Sequence, residues 1–326
     1  MFYTILLVLS FSLTYIVKEY AIKKSLVAQV NERSSHSTPT PHGGGISISI
    51  TWFIGLIYLN SINQIDDTLF YALLIGVVIS VLSFFDDLYE LSAKLRLIIQ
   101  SLVALCSIII LNGLNIIDFG IFNITNQIIT NVFAFFLIIW FINLYNFLDG
   151  INGYAGSEAV FLSLAGYILF GGDHFLVLAV AVLGFLYWNW NKAKIFMGDV
   201  GSTLLGYNIA IFTIYYSNQD SSNLWVWIIL FSLYWFDATL TLIRRKLNNE
   251  KLSQAHKKHA YQRLNQSGWS HYKVTNTSII VNITLFLMVY IIQNILISFV
   301  LSLLLLYSIT KFIDKKRNFK NDIVNK

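Results

Sequence analysis

Proline and cysteine are nearly missing from this chain of 326 residues, and charge is scarce. The single cysteine, Cys106, excludes a disulfide within the chain and a zinc site built on thiolates. Both prolines, Pro39 and Pro41, fall in one polar stretch, so no apolar segment is interrupted by proline. Charged residues make up 12% of the chain, about half of what a soluble protein carries. The longest polar stretches, 18–45 and 244–275, are too short to hold a core of their own. Positive charge is missing from alternate gaps between the apolar segments. Those gaps carry acids such as Asp66, Asp67, Asp118, Asp173 and Asp220, while all 22 Lys and Arg residues fall in the other gaps and the C-terminal tail.

What is abundant is apolar: 56% of residues, with a mean hydropathy of +0.65. A bilayer core asks for roughly 17–25 apolar residues per helix. Such segments lie at about 1–17, 46–62, 68–85, 97–112, 128–145, 154–171, 173–190, 200–217, 223–243, 276–293 and 295–311. The fold class read from them is an all-α integral membrane protein of about 11 transmembrane helices (10–11), one polytopic domain over residues 1–326. Cations are retained in the cytoplasm during insertion, so this pattern predicts an outside N-terminus and a cytoplasmic C-terminus. The first segment has no basic n-region or A-x-A-like cleavage site and is expected to stay as a helix. The net charge of +5 is explained by topology and anionic headgroups, and a nucleic-acid partner is not expected.

Polar side chains are expensive in a membrane and need a reason. Five clusters stand out, all on the cationic side. Ser37 to Ile46 stiffens at its prolines and then opens into Gly43, Gly44 and Gly45, which could offer bare amides to a phosphate at a helix start. In Phe84 to Gln100, adjacent Asp86 and Asp87 repel unless a divalent cation or a basic group neutralises them, and Lys94 and Arg96 follow. Asn143 to Gly156 is an inner loop without Lys or Arg, yet it holds Asn143, Asn146, Asp149 and Asn152 among glycines. Asp199, between Gly198 and Gly201, reads either as a helix N-cap or as a Mg²⁺ ligand, because Mg²⁺ sites use one or two carboxylates plus substrate phosphates. His256 and His259, three apart, form a cationic lid with Lys257, Lys258 and Arg263. Together these suit phosphoryl transfer from a soluble donor to a membrane-embedded acceptor, chemistry that rests on positioning and charge neutralisation.

The motifs DD-x-x-x-L-S-A-K-x-R at Asp86 to Arg96, N-x-x-N-F-x-D-G at Asn143 to Gly150 and F-M-G-D-x-G-S at Phe196 to Ser202 resemble those of the polyprenyl-phosphate N-acetylhexosamine-1-phosphate transferases. That superfamily, glycosyltransferase family 4, includes the phospho-MurNAc-pentapeptide translocase. The segments P-T-P-H-G-G-G and A-H-K-K-H-A-Y-Q-R look like the branch that initiates O-antigen or capsule synthesis. The resemblance implies transfer of a HexNAc-1-phosphate from a UDP-sugar to undecaprenyl phosphate, with release of UMP. The sugar would be a 6-deoxy-HexNAc such as FucNAc or QuiNAc, or GlcNAc, feeding lipopolysaccharide or other envelope polysaccharide synthesis. It also implies Mg²⁺, with Mn²⁺ as a substitute, held by Asp199 and Asp149. Asp86 and Asp87 would sit at the acceptor phosphate, Lys94 would neutralise phosphate, and His256 and His259 would contact the donor. His42, Gly43, Gly44, Asn143, Asn146, Asn152 and Arg263 would bind substrate, and a homodimer is left open. Two positions depart from the family pattern: His42 stands where many members have Arg, and Asn152 where many have Asp.

The alternative from another class is a membrane transporter of nucleotide sugars or lipid-linked intermediates. Transporters place binding residues near the midplane, at helices broken by Gly or Pro. Here Glu158 and Asp237, the acids inside apolar segments, lie near inner ends.

Overall fold

The computed structural model describes residues 1–24, 27–28, 39–252, 254 and 256–319. Ser37 and Ala255, which begin two of the segments named above, lie outside them. The described residues form helices α1 (Phe2–Lys23), α2 (Gly45–Ser61), α3 (Asp67–Leu74), α4 (Gly76–Tyr89), α5 (Ala93–Ile110), α6 (Gln127–Phe147) and α7 (Tyr154–Phe170). They continue with α8 (Asp173–Asn189), α9 (Asp199–Gln219), α10 (Asn223–Leu230), α11 (Ser232–Leu247), α12 (Ala260–Gln266), α13 (His271–Ile291) and α14 (Ile295–Lys316). Two small antiparallel ladders complete the chain: β1 (Val27–Ala28) with β2 (Thr40–Pro41), and β3 (Ile117–Asp118) with β4 (Asn123–Ile124).

Ile- and Val-rich segments, which would be strand formers in water, are helical here because a helix satisfies its own backbone in hydrocarbon. Their starts carry the expected caps: Asp66, Ser92, Asn126, Ser270 and Asn294 each accept a backbone N–H of the first turn. Six helical spans are long and apolar enough to cross a membrane, or seven if α10 and α11, bent by 71°, count as one. At that bend Trp235 Nε1 donates to Ile228 O at 2.7 Å. The protein is thus a multi-pass, all-α membrane protein. Every apolar segment read from the sequence coincides with helix. The remaining four differ from lipid-facing spans for two reasons. α2, α7 and α8 have 17 residues each, a rise of about 26 Å. α9 has 21 residues and the length to cross, but it carries Thr203, Tyr207, Asn208 and Thr213 and is buried along nearly its whole length. Its neighbours are α2, α4, α6 and α10 rather than lipid, which relaxes the demand for apolar side chains.

α9 organises the bundle. Tyr207 donates to Ala72 O at 2.5 Å and is within 2.8 Å of Ser107 Oγ, tying α3 and α5 to it. Ser83 on α4 meets Thr203 at 2.8 Å. Its first turn interlocks with that of α2. Gly44 N and Gly45 N donate to Phe196 O and Met197 O at 2.9 and 2.8 Å, and Phe196 N donates back to Pro41 O at 2.8 Å. A Cβ on Gly45 would lie 2.2 Å from Gly201 N, and one on Gly201 would lie 2.8 Å from the Gly45 Cα. Two backbones in direct contact leave no room for relaxation, and overpacking typically costs about 1–3 kcal/mol even where side chains can yield. Gly45→Ala is therefore expected to lower the melting temperature in detergent sharply or to abolish recovery of folded protein. Gly268, with no atom within 4 Å of its Cβ position, should tolerate Ala with only the smaller cost of its left-handed backbone, and equal melting of the two variants would contradict the interlock.

Candidate active site

The polar clusters meet at one end of the bundle, where α4, α6 and α11 end and α2, α5, α7 and α9 begin. The α2–α9 interlock puts Gly198 and Asp199 against the end of α4. Gly198 has φ +75, and a Cβ there would stand 3.0 Å from Asp87 Oδ2 and 3.3 Å from Gly43 N, so a glycine is required on both counts. Asp87 Oδ1 accepts from Asp199 N at 3.4 Å, while its Oδ2 is buried with no hydrogen-bond partner among the described residues. Asp86 is fully paired: Oδ1 accepts from Leu91 N at 2.8 Å and Oδ2 from Arg96 Nη1 at 2.6 Å. The same Arg96 nitrogen stands 3.8 Å from Asp199 Oδ2. Asn146 faces the Asp199 side chain and favours its charged form. Asp149 completes the group, its carboxyl pushed up to about 7 by burial and then by the charges of Asp199 and Asp87.

Four carboxylates therefore lie at one end of the bundle, with Arg96 paired to Asp86 and beside Asp199. Such a cluster is stable only if protons or a cation compensate it. Among the described residues no three His, Cys, Asp or Glu side chains are grouped so as to hold a metal by themselves. That does not disqualify Mg²⁺, which keeps waters and takes one or two carboxylates together with substrate phosphate oxygens. The unpartnered Asp87 oxygen and the elevated Asp149 are what a divalent cation would relieve, so these residues fit the ion.

The structure redistributes several residues read from the sequence. Lys94 is exposed on the first turn of α5 and forms no ion pair with the described residues; Arg96, two positions on, is the cation at the carboxylates. The amides of Gly44 and Gly45 are committed to Phe196 and Met197 carbonyls and are not bare. Only Gly43 stays outside that pairing, against Gly198. His42 is half-buried, and burial holds its imidazole below the usual range, so it adds no positive charge at neutral pH. Asn143 Nδ2 bridges α6 to α5 by donating to Gln100 Oε1 at 2.8 Å. Asn152 braces its loop: its Nδ2 donates to Asn191 O at 3.1 Å and its carbonyl accepts from Thr275 at 3.0 Å. Arg263 turns away from the carboxylates to Asp314 on α14, 2.6 Å from Oδ1.

The histidines belong to a second, aromatic part of the site. His259 stacks on Tyr261 with centroids 6.0 Å apart, and its Nδ1 lies 3.7 Å from Asp237 Oδ1. Tyr261 stacks in turn on Tyr154 at 5.2 Å, reaches Phe147 O at 3.3 Å, and covers Gly150, where a Cβ would be 2.0 Å from its hydroxyl. Tyr261 is thus the link between the histidine segment and the loop that carries Asp149, a role no spacing in the sequence announces. His256 is 4.9 Å from the His259 ring, and its Nδ1 accepts from Lys258 N at 3.2 Å, which leaves the proton on Nε2. Burial, followed by His259 and Arg245, pushes the His256 imidazole down to about 3. The pair is not a doubly charged lid; His256 is a neutral donor beside cationic Lys258.

A helical membrane bundle with clustered aspartates at one end of a buried central helix defines a membrane-embedded transferase class, and comparison with known proteins agrees. The glycosyl transferase family 4 model matches residues 69–217, which contain all three aspartate motifs. The chain belongs to this family. It is 34% identical over 273 residues to a probable undecaprenyl-phosphate N-acetylglucosaminyl 1-phosphate transferase of Bacillus subtilis, covering 79% of this chain and 75% of that protein. It is 29% identical over 216 residues to the undecaprenyl-phosphate alpha-N-acetylglucosaminyl 1-phosphate transferase of Thermotoga maritima, covering 65% of each. A phospho-N-acetylmuramoyl-pentapeptide-transferase of Staphylococcus aureus is 28% identical over 268 residues, covering 73% of this chain and 80% of that protein.

The geometry separates Arg96 from Lys94 by test. Arg96→Ala frees two carboxylates from their counter-charge; with the guanidinium 39% exposed, the cost falls below the roughly 3–5 kcal/mol of a fully buried pair. We expect it to destabilise the protein and abolish activity, with Mg²⁺ restoring part of the melting temperature. Lys94→Ala should leave the melting temperature unchanged, and matching thermal shifts in the two variants would contradict the pairing.

Proposed function

We propose that this protein transfers an N-acetylhexosamine-1-phosphate from a UDP-sugar to undecaprenyl phosphate and releases UMP. The observation that carries the reading is the gathering of Asp86, Asp87, Asp149 and Asp199 at one end of the bundle, with Arg96 on Asp86 and beside Asp199 and one buried Asp87 oxygen unpartnered. In this reading Asp199 and Asp149 would hold Mg²⁺, which would supply charge neutralisation at the donor diphosphate. Asn146 orients Asp199, and Arg96 holds Asp86 and offsets the charge of the arriving phosphates. The acceptor phosphate oxygen attacks the sugar-proximal phosphorus, a new phosphoanhydride bond forms to the lipid phosphate, and the bond to the UMP phosphate breaks. A phosphomonoester has a second pKa of about 6, so the acceptor is mostly dianionic at neutral pH. Asp87 then serves to orient the acceptor phosphate or share the cation rather than to remove a proton. The neutral His256 Nε2–H is suited to the donor.

The distribution of cations supports an active site facing the cytoplasm of the bacterial inner membrane. The relatives' names favour N-acetylglucosamine as the sugar, whereas the Pro39–Gly45 and 255–263 segments resemble the branch using 6-deoxy sugars such as FucNAc or QuiNAc. Both 6-deoxy sugars lack the C6 oxygen of N-acetylglucosamine, so membranes incubated with a panel of UDP-sugars, and the lipid product weighed by mass spectrometry, decide between them.

The leaving group gives the sharpest test of the reaction. With label on the sugar-proximal phosphate, we expect the label in the lipid and unlabelled UMP in solution; label in a released nucleotide would refute the reading. Asp199→Asn should be folded and inactive, and wild-type turnover should stop in excess EDTA. Cysteine introduced at Asn63, Asn115 or Asn218 should react with an impermeant reagent from outside intact cells, and reaction only after permeabilisation would overturn the orientation.

A further inference from the structure

The segment that bears the histidines is fastened by the opposite end of the chain. Both Arg244 Nη atoms bond the two Asp314 oxygens at 3.0 Å, and Arg263 Nη2 joins the same carboxylate at 2.6 Å and the carbonyl of Arg317. The backbone leaves α14 at Arg317 and brings Phe319 to rest 7% exposed. Three cations surround its ring: the Arg244 guanidinium at 5.3 Å, and the Arg263 guanidinium and Lys258 ammonium at 5.4 Å each. Lys258 also bonds Glu250 at 2.8 Å, and Glu250 pairs with buried Arg245 at 3.1 Å. Arg245 in turn binds the carbonyls of Lys251, Leu252 and Gln254.

Every one of these bonds restrains the stretch from Arg244 to Arg263. The ring gathers positive side chains on its face, while Asp314 and Glu250 compensate their charge. Lys258 is adjacent to His259, and Tyr261 packs on Gly150 beside Asp149. A continuous set of contacts therefore runs from the tail to the carboxylates. We propose that Asp314 and Phe319 are positioning residues for the donor side of the site: the end of α14 is a clasp that holds the histidine segment in register over the Asp149 loop. This rests on the transferase reading for its kinetic consequence, though not for the clasp itself.

The test uses the full chain in membranes or nanodiscs, with Phe319→Ala, Phe319→Leu, Phe319→Tyr and Asp314→Asn. Amide hydrogen exchange of residues 250–259 should quicken in Phe319→Ala and Phe319→Leu and stay slow in Phe319→Tyr, which keeps the aromatic face. KM for the UDP-sugar should rise about tenfold in the first two variants, with KM for the lipid acceptor unchanged and Phe319→Tyr close to wild type. Unchanged exchange, or Phe319→Leu matching Phe319→Tyr, overturns the clasp. Faster exchange with an unchanged donor KM overturns the positioning role, as does an equal rise for both substrates. If Phe319→Ala fails to insert, Phe319→Leu and Asp314→Asn carry the test. A wild-type protein that lacks transferase activity would sink the functional reading while leaving the exchange comparison able to decide on the clasp.

Discussion

The site exists because two helix starts touch backbone to backbone. Gly45 on α2 and Gly201 on α9 leave no space for a Cβ between them, and the carbonyls of Phe196 and Met197 take the amides of Gly44 and Gly45. This contact presses Gly198 and Asp199 onto the end of α4, where Asp87 waits. If the helices stood even one methyl group apart, Asp199 N would not reach Asp87 Oδ1, and Arg96 could not address Asp86 and Asp199 with one nitrogen. The triple glycine thus acts on the chemistry indirectly, by making close approach sterically free.

That approach comes with an electrostatic cost, which is the working feature of the site. Four carboxylates near the membrane boundary repel one another, and only Arg96 opposes them among the described residues. Asp86 is satisfied and serves to hold the guanidinium. Asp87 keeps an unpartnered oxygen, and Asp149 is shifted toward its protonated form. Unsatisfied negative charge with rigid backbone support is what the proposed divalent cation and its accompanying phosphates would compensate.

The side proposed for the donor is built differently, from rings and buried cations. His259, Tyr261, Tyr154 and Tyr234 stack in sequence from the loop into the bundle. Arg244, Arg245, Lys258 and Arg263 are consumed by Asp314, Glu250, backbone carbonyls and Phe319. Charges that look available in the sequence are therefore structural, and the polar contacts left for a ligand are few and well oriented.

Much of this was legible in the residues alone. Apolar segments of membrane length are helices because hydrocarbon allows little else, and the three aspartate motifs do meet, since each stands at a helix end on the cationic side. Even the buried polar helix α9 was readable as a segment, although its polarity makes sense only once its neighbours are seen. What the sequence could not determine was which member of each cluster faces the others. Lys94 and Arg96 are two residues apart, about 200° around a helix, so only one can meet Asp86. Asn143 and Asn146 divide in the same manner, one toward Gln100 on α5 and the other toward Asp199. Arg263 finds Asp314 across 51 positions of chain, and Tyr261 finds Gly150 across more. Periodicity and spacing set what lies on one helix; the packing of helices against one another, a matter of glycine contacts and ring stacking between distant segments, decided which side chains share the site.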